Sequence, residues 1–205
     1  MRQRLEAVLF DLDGTLLDTA PDFITTMQLL LARHSKPAIT ANAVRQTVSH
    51  GSKALVKLGF GIDETDEEFE DLRQQLLAIY LTKLSEKTAL FSGMDTVLAH
   101  LEQQQIPWGI VTNKPWRYTE AALVQLGLME GAATVICPDH VTLPKPHPEA
   151  ILLACNEIAI APQDCLYVGD HVRDIDAGRA AGTRNIAAAW GYIEAGQVIA
   201  DWQAD

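Results

Sequence analysis

Short apolar runs recur along the chain and alternate with longer stretches in which apolar residues return every three or four positions. Four of the runs, 7–10, 108–112, 134–136 and 166–169, are rich in β-branched residues and read as buried strands. A fifth, 185–190, is alanine-rich and fits the pattern less closely. Between them the spacing predicts helices over 94–104, 116–126, 148–158 and 172–181, with Gly127 and Gly182 where helix stops belong. Buried strands alternating with helices imply a Rossmann-like α/β fold, a parallel sheet covered on both faces.

The rhythm breaks after the first strand. From residue 17 to 88 no convincing strand is found, and three helical patterns run over 22–33, 42–58 and 66–85, with Gly59 and Gly61 closing the second. The expected organisation is therefore an α/β core made of 1–16 and 89–205, with an inserted all-helical domain over 17–88. Both connections to that insertion would lie beside the loop that follows the first strand, where they would act as hinges.

Ligands of an open parallel sheet bind outside the carboxyl ends of its strands. The stretch VLFDLDGTLLDT places Asp11 and Asp13 at the end of the first strand, and Thr112, Asn113 and Lys114 follow the second. Lys145 lies beyond the third, and Asp170 and Asp174 follow the fourth. Ionised aspartates repel one another unless a cation sits among them, and oxygen donors alone suit a hard ion. Mg²⁺ fits best, held by one or two carboxylates, water and substrate oxygens. Asp11 and Asp170 are the expected carboxylate ligands and Asp13 would add its backbone carbonyl. Asp174, one helical turn past Asp170, would hold a metal-bound water or orient a ligand.

Composition narrows the partners. With 205 residues, 48% hydrophobic and 21% charged, the chain is long enough to bury a substantial core. No apolar run approaches the ~20 residues of a membrane helix, and MRQRLEAVLFD reaches an acid before a signal peptide is complete, so a cytoplasmic location is expected. A formal net charge of -11 opposes binding to nucleic acid or anionic lipid, and no obligate protein partner is evident. Cys137, Cys155 and Cys165 form no CxxC pair, so buried thiols are expected rather than disulfides or zinc ligands.

Four segments together resemble the motifs of the haloacid dehalogenase superfamily: DLDGT, Thr112, Lys145 and GDHVRD, in order and at strand ends. The resemblance implies a helical cap for the insertion and a phosphoric monoester hydrolase for the whole. It makes Asp11 the nucleophile of an aspartyl-phosphate intermediate and Asp13 the general acid and base. Thr112 and Asn113 would bind the phosphoryl oxygens, Lys145 would neutralise Asp11 and phosphate, and Gly14 would present an amide to the phosphate. Arg45, Gly51, Ser52 and Lys53, with His50 among them, resemble in placement the substrate-specificity loop of the cap.

LLDTAPDF, VTNKP, ICPDHV and KPHPEAI resemble the phosphoglycolate phosphatase group, some bacterial members of which act on N-acetylmuramic acid 6-phosphate in cell-wall recycling. A small phosphorylated metabolite is thus the expected substrate. A sugar phosphomutase shares the same core and both aspartates, and a phosphate-binding module without activity is a further alternative, disfavoured because a binder has no use for Asp13. The sequence stops at WQAD, where the resemblance leads one to expect a further strand and helix.

Overall fold

The computed structural model describes residues 5–205. In chain order its elements are β1 (Ala7–Phe10), β2 (Leu17–Asp18), α1 (Ala20–Arg33), α2 (Ala41–Thr47), α3 (Gly51–Phe60), α4 (Phe69–Lys83) and β3 (Ala89–Leu90). They continue as α5 (Met94–Gln103), β4 (Trp108–Val111), α6 (Trp116–Gln125), β5 (Val135–Ile136), α7 (Glu149–Glu157), β6 (Cys165–Gly169), α8 (Val172–Ala181) and β7 (Arg184–Ala187).

All four side chains of β1 are buried, and their alternation divides the interior into two layers. Val8 and Phe10 join Trp108, Ile110 and Val168 under Met94, Leu98 and Leu101 of α5. Ala7 and Leu9 join Val111 and Tyr167 under Ile151 and Ala154 of α7 and Ala177 of α8. A strand buried on both faces must be apolar throughout, which is why its sequence reads as an unbroken run. β1 accordingly lies at the centre of a five-stranded parallel sheet in the order β5-β4-β1-β6-β7. Cys137, Cys155 and Cys165 are buried and unpaired, and among the described residues no helix is long and apolar enough to cross a membrane.

Three details differ from the sequence reading. The alanine-rich run is a strand only over Arg184–Ala187. The pattern over 42–58 is two helices, because Val48–His50 tightens into a 3-10 turn and Gly51 follows with φ +77, a value that favours glycine. Finally, the strandless reading of 17–88 misses β2, whose Leu17 and Asp18 pair antiparallel with Leu90 and Ala89 of β3. Two residues are too few for a periodicity to register. The resulting ribbon carries the chain out to α1–α4 and back.

Those four helices enclose an apolar cluster of their own, with Phe23, Met27, Leu30, Leu55, Leu76 and Tyr80 at its centre. Its seam with the ribbon is polar. Asp22 is wholly buried in the first turn of α1. Its carboxylate accepts hydrogen bonds from Lys87 N at 2.9 Å, Thr88 N at 3.2 Å and Thr88 Oγ1 at 2.6 Å, tying the start of the helical unit to its exit. Asp22→Ala leaves two backbone donors without a partner and is expected to lower stability by about 2–4 kcal/mol. Urea unfolding monitored by circular dichroism reads this directly; a change under about 0.5 kcal/mol would show that the carboxylate is not what holds the seam.

Candidate active site

Because β1, β4, β5 and β6 run parallel, their carboxyl ends open onto one rim. There the chain turns sharply after β1, with Leu16 N and Leu17 N both donating to Leu12 O. Asp11, Asp13, Thr112, Asn113, Lys145, Asp170 and Asp174 all line a single cavity at this rim.

Lys145 is its electrostatic centre. The ammonium donates to Val111 O at 2.8 Å and Tyr167 Oη at 2.7 Å, and lies 2.8 Å from Asp11 Oδ1 and 2.7 Å from Asp174 Oδ1. Four oxygens thus compete for three N–H donors. The pair with Asp11 is close but poorly aligned, so the buried Asp11 Oδ1 has no hydrogen-bond partner. Burial opposes the charge on Lys145, but Asp11 and Asp174 outweigh it and hold the lysine above its ordinary pKa.

Asp11, Asp170 and Asp174 each place a carboxylate oxygen within 4.8 Å of the others. Burial, partly relieved by Lys145 and worsened by Asp174, pushes Asp11 up to about 6. Burial together with the charges of Asp11 and Asp174 pushes Asp170 up to about 8. Three carboxylates against one ammonium leave the cluster two positive charges short. An orphaned carboxylate oxygen and an all-oxygen donor set suit a hard divalent cation. Asp11 Oδ1 has no hydrogen-bond partner and Asp170 Oδ1 accepts only a long bond from Thr15 Oγ1 at 3.4 Å, whereas Asp174 is held by Lys145 at 2.7 Å and by His171 N at 3.0 Å.

Backbone without side chains makes this packing possible. Gly14 has φ +86, and a Cβ there would run into Asp170 Oδ2 and stand 2.9 Å from the Tyr192 ring. Its amide donates to Leu17 O at 3.0 Å, so the expected phosphate contact from that amide is corrected: Gly14 makes room for Asp170. A Cβ on Gly169 would meet the Asp174 side chain, and one on Gly191 would meet Asp170. Tyr192, which the sequence reading passes over, holds Asp170 Oδ2 through its amide at 2.8 Å. Its hydroxyl meanwhile accepts from Ala20 N and donates to Asp18.

Asp13 stands apart from the three. Lys114 Nζ reaches both its oxygens, at 3.0 and 3.1 Å, and donates to Tyr80 Oη at 2.8 Å while lying over the Phe23 and Tyr80 rings. The Asp13 carboxylate is thereby outside the acidic cluster. The sequence places Lys114 at the end of the second strand, two positions after Thr112, but assigns it no role. Thr112 Oγ1 accepts from Lys114 N at 3.1 Å and keeps its proton for a ligand. The Asn113 side chain exchanges two hydrogen bonds with the backbone of Lys145, 2.9 and 3.1 Å, and fixes that segment, so a phosphate contact from Asn113 falls to its backbone amide.

The helical unit supplies the opposite wall. Gly51 and Ser52 line the cavity, with Ser49, Arg73, Leu77 and Tyr80. Arg45 and Lys53 do not. Arg45 is paired with Asp18 at 2.9 Å and covers the Tyr192 ring, and Lys53 is paired with Glu64 on the outer surface. Both are corrected from substrate contacts to struts, since a helix-face cation looks the same in sequence whichever way it turns. His50 lies 2.6 Å from Glu194, its ring edge-on to His171. Burial, reinforced by Arg173, pushes His171 down to about 4. The cavity offers about 150 Å³, room for a phosphoryl group with a small substituent.

Comparison with known proteins agrees with this geometry. The sequence model of the haloacid dehalogenase-like hydrolase family matches residues 8–188. The chain is 46% identical over 202 residues to an N-acetylmuramic acid 6-phosphate phosphatase of Pseudomonas putida, covering 98% of this chain and 91% of the relative. It is 42% identical over 200 residues to a phosphoglycolate phosphatase of Xanthomonas campestris pv. campestris, covering 97% and 90%. The crystal structure of a predicted phosphoglycolate phosphatase from Haemophilus somnus superposes with a TM-score of 0.88 at 26% identity, covering 100% of this chain and 93% of the other.

The acidic cluster makes stability depend on pH in a definite direction. Between about pH 4 and 8 the folded protein holds protons on Asp11 and Asp170 that the unfolded chain has released, so stability without a divalent cation should fall as pH rises through that window. A divalent cation displaces those protons, and its stabilising effect should grow over the same window. Thermal melting at pH 5 and pH 8, with and without the cation, tests both; a stabilisation that does not change with pH would contradict the assignment of these carboxylates as its ligands.

Proposed function

The chain belongs to the haloacid dehalogenase-like hydrolase family, and on that premise we propose that it is a magnesium-dependent phosphatase of a small phosphorylated metabolite. The observation that carries this reading is the separation of two carboxylates one residue apart. Asp11 has an oxygen beside Lys145 that no hydrogen bond claims. Asp13 is turned away from the acidic cluster and held by Lys114.

In this reading Asp11 attacks phosphorus in line, displacing the substrate's alcohol oxygen, and Asp13 gives that oxygen its proton. Asp13, now a base, takes a proton from water, whose oxygen attacks the aspartyl phosphate, releasing phosphate and restoring Asp11. Thr112 Oγ1 supplies a donor to the phosphoryl oxygens, and the Lys145 ammonium supplies positive charge beside them. Lys114, bonded to both Asp13 oxygens, fixes the direction from which the proton is delivered. Mg²⁺, held by Asp11 and Asp170 with the Asp13 carbonyl, would add charge neutralisation of the phosphoryl group. Asp174, which orients Lys145 and caps α8, would hold a metal-bound water or orient a ligand.

The helical segment 17–88 is assigned the part of a cap over the leaving group, with the β2–β3 ribbon as its hinge. Support comes from the residues it contributes to the cavity wall, Ser49, Gly51, Ser52 and Arg73. The likeness to both an N-acetylmuramic acid 6-phosphate phosphatase and a phosphoglycolate phosphatase keeps the substrate within phosphomonoesters of small metabolites.

Release of p-nitrophenol from p-nitrophenyl phosphate tests the chemistry. Activity should require Mg²⁺, vanish in Asp11→Asn, and fall about 10²- to 10⁴-fold in Asp13→Asn. Turnover at the wild-type rate in Asp11→Asn would remove the nucleophile and with it the mechanism.

A further inference from the structure

Four cationic side chains line the cavity, and three of them already face a carboxylate. Lys145 lies 2.8 Å from Asp11 and 2.7 Å from Asp174, Lys114 lies 3.0 Å from Asp13, and Arg73 lies 2.7 Å from Glu70. Arg173 has no carboxylate oxygen within 4.0 Å among the described residues. Its guanidinium is held instead by a neighbour on the same turn: Arg173 N and Nε both reach His171 Nδ1 at 3.1 Å, and Nη2 lies 3.2 Å from Nε2. The side chain is thus fixed at the cavity wall with its charge unmatched.

Its place decides what would match it. His171 meets His50 of the helical unit at 5.6 Å between ring centroids, and Ser49, Gly51 and Ser52 line the same cavity. Arg173, packed on that His171 ring, therefore lies on the side of the cavity that meets the helical unit, and a leaving group held there would come within its reach. A single guanidinium matches one negative charge, and its planar fork fits a carboxylate with two parallel hydrogen bonds. A second phosphate would bring surplus negative charge into a cavity already lined by Asp11, Asp13, Asp170 and Asp174.

We propose that Arg173 binds a carboxylate on the leaving group, so that the protein selects phosphomonoesters that also carry a carboxylate. The inference rests on the phosphatase reading and adds to it the residue that recognises a carboxylate, a group that phosphoglycolate and N-acetylmuramic acid 6-phosphate both carry. Arg173 is then a specificity-determining residue, and Arg73, already engaged by Glu70, is not.

Two substrate pairs isolate the carboxylate: 2-phosphoglycolate against 2-hydroxyethyl phosphate, and N-acetylmuramic acid 6-phosphate against N-acetylglucosamine 6-phosphate, which lacks only the lactyl group. With Mg²⁺ present, kcat/KM should favour the carboxylate-bearing member of at least one pair about 10- to 100-fold, the loss expected for a charged hydrogen-bonded contact. Arg173→Gln should bring that ratio close to one, and Arg173→Lys should retain part of it. Melting temperatures of both variants establish that they are folded. Equal cleavage of both members by the wild type, or a variant that loses both members alike, would overturn the carboxylate assignment while leaving the phosphatase reading in place. A wild-type protein inert toward every ester would take down both.

Discussion

Burying Asp11, Asp170 and Asp174 together costs several kcal/mol per ion unless opposite charge and hydrogen bonds compensate, and most local features of the rim serve that compensation. Glycines at 14, 169 and 191 let Asp170 and Asp174 approach backbone that any larger residue would push away. Val111 O and Tyr167 fix the ammonium of Lys145 from below, while Asn113 clamps its backbone from the side. Tyr192 contributes a peptide N–H from a loop far along the chain. None of these groups needs to touch a substrate. Each sets the position or the charge of one that does, and two negative charges are still left over for a divalent ion.

That local economy explains how an acidic protein with a net charge of -11 can receive an anion. Its long-range field repels phosphate, so attraction must act at contact distance, where screening by water and salt is weakest. Lysines and arginines at the cavity wall are accordingly placed with care: Lys114 lies beside the stacked rings of Phe23 and Tyr80, Lys145 is almost fully enclosed, and Arg173 is propped on an imidazole. Rigid placement of a cation also limits the entropy lost when an anion meets it.

Much of this was legible in the sequence because it follows from period and position. Strands buried on both faces appear as unbroken apolar runs, and acidic residues at their ends stand out against them. The parallel sheet, its helices and the rim formed by Asp11, Thr112, Lys145 and Asp170 all follow from that contrast. Direction was harder to read. Arg45 and Lys53 differ from Arg73 only in the way their helices turn, which sequence alone does not fix. Asp22, Lys114 and Tyr192 act through partners far away in the chain, and no local pattern announces a partner. Gly14 drew attention for its amide, yet its missing side chain matters through a neighbour 156 positions later, Asp170.

The pairing of Leu17 with Leu90 gives the molecule a narrow neck. Seen from the sheet, everything carried by α1–α4 is the tip of one long hairpin whose ends are already joined. Closing such a loop becomes only slightly harder as it grows, by about 0.6 kcal/mol for each doubling of length. The unit above the neck can therefore lengthen or shrink at little entropic cost while the strands below keep their register.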